Sequence, residues 1–249
     1  MNKKLKNKIR SNELTIGSWL TIANNNTCEI MCNGNFDWLV VDLEHTTISI
    51  NEAGELIRII DLSKKSPLVR LTSINRDQIK RILDAGAHGI IAPNVLTKND
   101  VDYIVDSVFY PPIGKRGVGL GRAHKYGSDF KNYFKRHKSE IIIIVQIENI
   151  KALENLDEIF KNKKIDAYII GPYDLSASMG IPGDFNSIEF KNAINYIKKI
   201  GKKYNLCSGM HVVEPDKKEL SKNLKNGFKF ISYSVDMRIL DSSVKNLFK

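Results

Sequence analysis

With 249 residues, 42% apolar and 27% charged, the chain has the length of one large α/β domain or two small ones and the composition of an ordinary soluble protein. No apolar run approaches the roughly 18 residues of a membrane span, and the basic start MNKKLKNKIRSNELTIGSWL lacks a signal peptide's apolar core and cleavage site, so a cytoplasmic protein without a membrane partner is expected. The formal charge of +10 raises nucleic acid as a partner, but lysines such as Lys198, Lys199, Lys202 and Lys203 spread along helix-like faces with no interleaved aromatics to stack bases; no nucleic-acid partner is expected, and anionic small substrates are favoured.

Apolar, β-branched runs recur at 15–20, 38–42, 67–71, 89–92, 141–147, 166–171, 206–211 and 229–232. Between them lie amphipathic segments at 51–62, 75–85, 98–109, 151–160, 187–204 and 215–226. Strands alternating with helices predict a parallel sheet, and eight of them in this length predict a single (β/α)8 TIM barrel spanning 1–249. A doubly wound open sheet would want a glycine-rich turn after the first strand, and ANNNTCE is not one. Gly86, Gly201 and Gly227 follow helical segments and read as C-caps. Cys28 and Cys32, four residues apart, read as buried residues on one helix face, and the three cysteines make neither a disulfide framework nor a zinc site. The connection from about 110 to 140 contains YPPIGKRGVGLGRAHKYG, with five glycines and two prolines. It is expected to be a long active-site loop at a βα position.

In a barrel, strand C-termini and the loops after them converge on one mouth. VVDLEH brings Asp42, Glu44 and His45 there; PLVRL brings Arg70; VQIEN brings Gln146 and Glu148 on one strand face; IIGPYDLS brings Asp174; GMH brings His211. Each residue alone has an ordinary structural role open to it. Asp174 suits a helix N-cap, Glu148 a helix start, Arg70 a charge partner and His45 a loop. Capping does not explain carboxylates, an arginine and a histidine gathered at the same end of the strands. Carboxylates from separate strands suit a hard divalent ion completed by substrate oxygens and water. No strand end carries a lysine for an imine, since Lys229 starts the last strand. A metal-stabilised enolate is the expected carbonyl chemistry.

The motifs FDWLVVDLEH, PLVR, YPPIGKRGVG with RAHKYG, VQIEN and IIGPYDLSASMG, between GSWL at 17–20 and YSVDMRIL at 233–240, resemble the class II pyruvate aldolases of the HpcH/HpaI type. The resemblance implies reversible cleavage of a 4-hydroxy-2-oxo acid to pyruvate and an aldehyde. It implies that Glu148 and Asp174 hold Mg2+, Mn2+ or Co2+ and that Gln146 orients a water or the substrate oxygen. Backbone N–H groups of Tyr173 and Asp174, after Gly171 and Pro172, would hold the pyruvate carboxylate. Arg70 would stabilise the enolate oxygen, His45 oriented by Asp42 would act as acid and base, and His211 would contact the acceptor. Arg116 and Arg122 would meet either a charged aldehyde tail or a subunit interface. A homo-oligomer, often with an exchanged C-terminal helix, is also implied. The pattern departs where Thr46 and Thr47 follow Glu44-His45, a place family members often give to glycine. Two other readings stay open. One is a citryl- or malyl-CoA type thioester lyase, which would need an adenine-nucleotide groove. The other is a non-catalytic barrel binding acidic metabolites or polyanions.

Overall fold

The structure is a computed structural model that describes residues 3–248. Eight strands, β1 (Thr15–Leu20), β2 (Trp38–Asp42), β3 (Ser66–Arg70), β4 (Gly89–Ala92), β5 (Ile142–Ile147), β6 (Ala167–Ile170), β7 (Cys207–Val212) and β8 (Phe230–Val235), form a closed barrel in chain order. Every neighbouring pair is parallel, including β8 with β1. The expected (β/α)8 barrel is therefore the fold, and no strand boundary departs from expectation by more than three residues.

Period-two alternation divides each strand between two cores. Outward residues such as Leu39, Val41, Val69, Ile143, Val145 and Ile147 pack under the helices. Inward residues Trp38, Val40, Leu68, Ile142, Ile144, Ile169 and Phe230 fill the barrel. At its lower end the Trp38 and Phe230 rings stack 4.2 Å apart at 4°. Gly17 makes room for them, because a Cβ there would lie 2.1 Å from the Trp38 ring.

A helix at Lys3–Arg10, which the charged sequence conceals, plugs that end. Leu5 and Ile9, four apart, insert into the barrel core. Lys6 donates to the Ile141 carbonyl and to Asp166 Oδ2, and Arg10 Nε donates to Asp166 Oδ1 at 2.6 Å. Cys28 and Cys32 lie buried on the helix Asn25–Cys32, as expected. Gly86 and Gly227 adopt φ of +106° and +85° after their helices, as C-caps do. Gly201 is different. It lies inside the helix Ile188–Lys203, where a Cβ would come within 2.4 Å of the Tyr168 ring, so close packing and not capping requires it. The segment expected as one helix at 151–160 is two short ones, Ile150–Leu153 and Leu156–Phe160.

The largest correction concerns the connection 110–140. It follows the helix Lys98–Val108 and leads into β5, so it runs from helix to strand at the end opposite the mouth. It is not continuous loop, since it contains a 3-10 turn at Arg122–Gly127 and a helix at Phe130–Glu140. Buried Arg116 reaches Asp84, at the C-terminal end of the helix Arg76–Asp84, with 2.5 Å between Nη2 and Oδ1. Arg122 Nη2 meets Asp61 Oδ2 at 2.5 Å, and His88 Nε2 meets the other oxygen at 3.2 Å. Within this chain both arginines are thus engaged away from the mouth. Phe130, Tyr133, Phe134 and His137 give the helix its i, i+3, i+4, i+7 face.

Gly17→Ala should lower stability by about 1–3 kcal/mol, the usual cost of forcing a methyl into a filled core. Urea denaturation should show a lower midpoint with unchanged slope; a midpoint equal to the parent's would refute this account of the barrel floor.

Candidate active site

The alternation that buries Ile142 and Ile144 carries Gln146 and then Glu148 inward at the opposite, upper end. The same parity turns Trp19, Asp42, Arg70 and His211 inward. Trp19, Arg70, Gln146, Gly171, Pro172, Tyr173, Asp174 and His211 line a cavity of about 50 Å³. That is space for several water-sized positions, given about 10–15 Å³ of such volume per water.

Arg70 is fixed on two sides. Its Nε and Nη2 donate to Asp42 Oδ1 and Oδ2 at 2.8 and 2.6 Å, a two-bond fork, and Nη1 lies 3.2 Å from Glu44 Oε2. Its guanidinium carbon sits 4.4 Å from the Trp19 ring centroid. Asp42 is therefore taken by Arg70 and by the Glu44 N–H at 3.1 Å, and it makes no hydrogen bond to His45. The expected orientation of His45 by Asp42 is thereby corrected: a guanidinium in bidentate register outcompetes an imidazole for that carboxylate. His45 instead stands at the rim, 60% exposed along its side chain, with Nε2 3.6 Å from Glu44 Oε2. Thr46 shapes this loop without glycine. Its hydroxyl donates to the Asp42 carbonyl at 2.5 Å and accepts the Ile48 N–H at 3.2 Å.

Glu148 is buried. One oxygen accepts from Gln146 Nε2 and the other from the Asn94 backbone N–H at 2.6 Å. Burial nevertheless pushes its pKa up, with neighbouring Asp174 adding to the rise. Glycine at 171 leaves room for this carboxylate, since a Cβ would stand 3.0 Å from Glu148 Oε2. Gly171 precedes the helix Pro172–Ser178, whose first turn holds Asp174 and has no side-chain cap. Asp174 is therefore not the N-cap. Tyr173 is half exposed, its ring edge-on to Phe185 at 5.0 Å.

His211 is held in one tautomer. It donates to the Ser234 backbone, while Nε2 is buried without a partner. The donor is then Nδ1–H, assigned from this network. Burial, and Arg70 nearby, push its pKa down to about 3, so the ring is neutral across the physiological range.

Asp42, Glu44, Glu148 and Asp174 thus face one guanidinium, and Glu44 records the imbalance. Burial pushes its pKa up to about 7, Arg70 opposes the rise, and Glu148, Asp42 and Asp174 add to it. A divalent ion fits this surplus, and an open pair of carboxylates, Glu148 and Asp174, suits a hard ion that completes its shell with substrate oxygens. Among the described residues no three His, Cys, Asp or Glu side chains converge as a closed metal site. Two participants escape sequence reasoning. Asn94 acts through a backbone N–H, which no side-chain motif signals. Trp19 is betrayed only by its inward parity near the end of β1.

The HpcH/HpaI aldolase/citrate lyase family model matches residues 15–242. The chain belongs to that family. A relative named 2-keto-3-deoxy-L-rhamnonate aldolase, from Klebsiella pneumoniae, is 35% identical over 90% of this chain and 84% of its own. A relative of the same name from Escherichia coli is 31% identical over 96% of this chain and 89% of its own. Among solved structures, an HpcH/HpaI aldolase/citrate lyase family protein from Burkholderia cenocepacia superposes with a TM-score of 0.92 at 26% identity, covering 98% of this chain and 96% of the other. These aldolase relatives agree with the expected reaction class, a carbon–carbon lyase. No helix among the described residues is long and apolar enough to cross a membrane.

Glu44 titrates from 4.5 unfolded to about 7 folded, so the folded state binds the extra proton between those values. A raised carboxyl pKa withdraws stability as pH climbs through that window and leaves the deficit in place above it. With metal chelated, Glu44→Gln should gain stability over the parent from about pH 4.5 to about 7, and the gain should then level off. Thermal melts at a series of pH values check this, and a difference that is flat with pH would contradict it.

Proposed function

We propose that the chain is a divalent-metal-dependent aldolase that reversibly cleaves a 4-hydroxy-2-oxo acid to pyruvate and an aldehyde. The observation that carries the proposal is the mouth's unbalanced charge, four carboxylates against Arg70, in a member of an aldolase family. Both curated relatives are named for 2-keto-3-deoxy-L-rhamnonate; a 2-oxo acid of that kind is the proposed substrate.

Glu148 and Asp174 would hold the ion, Mg2+, Mn2+ or Co2+. When bound, it supplies Lewis-acid stabilisation of negative charge on the 2-oxo oxygen. The unclaimed N–H groups of Arg70 serve that same charge; Asp42 and Trp19 fix the guanidinium in advance, so little reorganisation is needed as charge develops. The uncapped backbone N–H groups of Tyr173 and Asp174, after Gly171 and Pro172, receive the substrate carboxylate. Gln146, whose amide donates to Glu148, orients that carboxylate and the substrate oxygen beside it. His45 at the rim takes the proton from the 4-hydroxyl as the C3–C4 bond breaks and the aldehyde leaves. The bond's electron pair passes into the 2-oxo group, and protonation at C3 then gives pyruvate. His211 contacts the aldehyde half through its Nε2 lone pair. The subunits associate as a homo-oligomer, a reading supported by Met237, Leu240 and Val244, all more than half exposed on one side of the helix Asp236–Lys245.

Pyruvate methyl protons should exchange with deuterium in the presence of Mg2+ or Mn2+, stop exchanging in EDTA, and fail to exchange in Glu148→Ala. NMR reads this without knowledge of the aldehyde. Exchange that survives EDTA and is trapped by borohydride would replace this reading with an imine-forming lysine. Sedimentation equilibrium should give a multiple of the 28.2 kDa chain mass; a monomer at tens of micromolar would refute the oligomer.

A further inference from the structure

The end of the barrel opposite the mouth carries a groove of about 430 Å³ lined by Lys6, Asn7, Arg10, Lys138, Ser139, Lys163 and Lys164. Five of these seven residues are cations and none is acidic or apolar. They come from three separate places in the chain: the plug helix Lys3–Arg10, the end of the helix Phe130–Glu140, and the turn before β6. Convergence of that kind is not the even scatter of lysine along solvated helix faces.

The floor is built and rigid. Asp166, the carboxylate that Lys6 and Arg10 share, has no exposed side-chain surface. Its two oxygens accept from Lys6 at 3.0 Å, Arg10 at 2.6 Å and the Ile143 N–H at 2.9 Å. The Lys6 side chain is only 4% exposed. Arg10 spends Nε on Asp166 and donates from Nη2 to the Lys163 carbonyl at 3.2 Å, which leaves Nη1 free. Lys164 Nζ lies 5.4 Å from the Phe109 ring centroid, which steadies it at the wall. Among the described residues, Lys138, Lys163 and Lys164 make no ion pair with a carboxylate. Five cations less the Asp166 carboxylate leave a surplus of four positive charges. The crowding is felt locally. Burial pushes the Lys6 pKa down, Asp166 opposes the shift, and Arg10 and Lys164 add smaller downward pushes.

We propose that this groove is a binding site for a short polyphosphate chain, of the kind carried free or at the end of a nucleoside triphosphate. A compact polyanion answers four surplus charges within one groove, and ammonium and guanidinium groups are the usual partners of phosphate oxygens. Two smaller anions would have to share the space against their own repulsion. No aromatic side chain lines the groove, so there is no stacking surface for a base, and the phosphates alone are recognised. The ligand bridges the plug helix to the barrel wall, so occupancy also protects residues 3–10 from local opening. The site is independent of the aldolase reading and shares no residue with the mouth.

Titration calorimetry of the full chain with inorganic tripolyphosphate, at low salt, tests the proposal. One saturable site per chain is expected, weakened at least tenfold in the Lys138→Gln, Lys163→Gln, Lys164→Gln triple variant. All three side chains are at the surface or beside it, so a matched thermal melt confirms that the variant folds. ATP binding within a few-fold of tripolyphosphate identifies the phosphate chain as the recognised part; ATP binding more than tenfold tighter would overturn recognition by phosphates alone. Slower amide exchange in residues 3–10 on adding tripolyphosphate is also expected. The proposal is overturned by heats that do not saturate, by citrate competing as well as tripolyphosphate at equal ionic strength, or by a folded triple variant that binds like the parent.

Discussion

Four carboxylates meeting one guanidinium set the electrostatics of the barrel mouth. Arg70 cannot neutralise them, because its fork is committed to Asp42 and its remaining edge leans on Glu44. Glu148 is left with hydrogen bonds but no cation, and hydrogen bonds alone do not offset its burial. The arrangement is therefore incomplete as a purely structural network. The proposed divalent ion would balance the residual charge and leave the two Arg70 N–H groups that neither Asp42 nor Glu44 takes for charge that develops during reaction. The Trp19 ring beneath the guanidinium serves the same end, holding its plane without adding another acceptor.

Strand parity is what delivers these groups together. In β5 a single inward line runs Ile142, Ile144, Gln146, Glu148, passing from packed core to polar mouth without a change of face. The lower layers can be largely apolar because the plug helix, with Leu5 and Ile9, seals them from water. Glycines appear where that packing leaves no room for a Cβ, at Gly17 under Trp38 and at Gly171 beside Glu148. The rigidity of the floor and the spacing of the mouth thus have a common source in close packing.

The strands, and the gathering of polar side chains at one end of them, are legible because both depend on local pattern. Buried parallel strands announce themselves as short β-branched runs, and residues at their ends must converge if the barrel closes. What escaped depends on partners distant in sequence. The helix Phe130–Glu140 hides behind its charged residues and a glycine-rich approach, although its apolar spacing is helical. The connection before it looked like mouth because length and glycine content suggest function, whereas its end of the barrel follows only from counting whether helix or strand comes next. The partner of Asp42 is hidden from the sequence for a related reason. His45 is three residues away and Arg70 twenty-eight, yet β2 and β3 place Asp42 and Arg70 side by side in register, and adjacency across a sheet overrides adjacency along the chain.

The net charge of +10 shows why a summed quantity is a poor guide to a site. The mouth, the proposed site of an anionic substrate, is locally acidic; the groove's cations gather at the opposite end, among the C-termini of the helices. Helix dipoles favour this division. Their negative ends at the barrel floor attract lysine and arginine, and their positive ends at the mouth attract anions. In the proposed reaction an anionic substrate would be received at the mouth by backbone N–H groups, by Arg70 and by an ion held between Glu148 and Asp174, not by the basic surface. The two ends of one barrel present opposite electrostatic problems, and the sequence answers them with different residues: a fixed arginine among carboxylates above, and lysines around a shielded aspartate below.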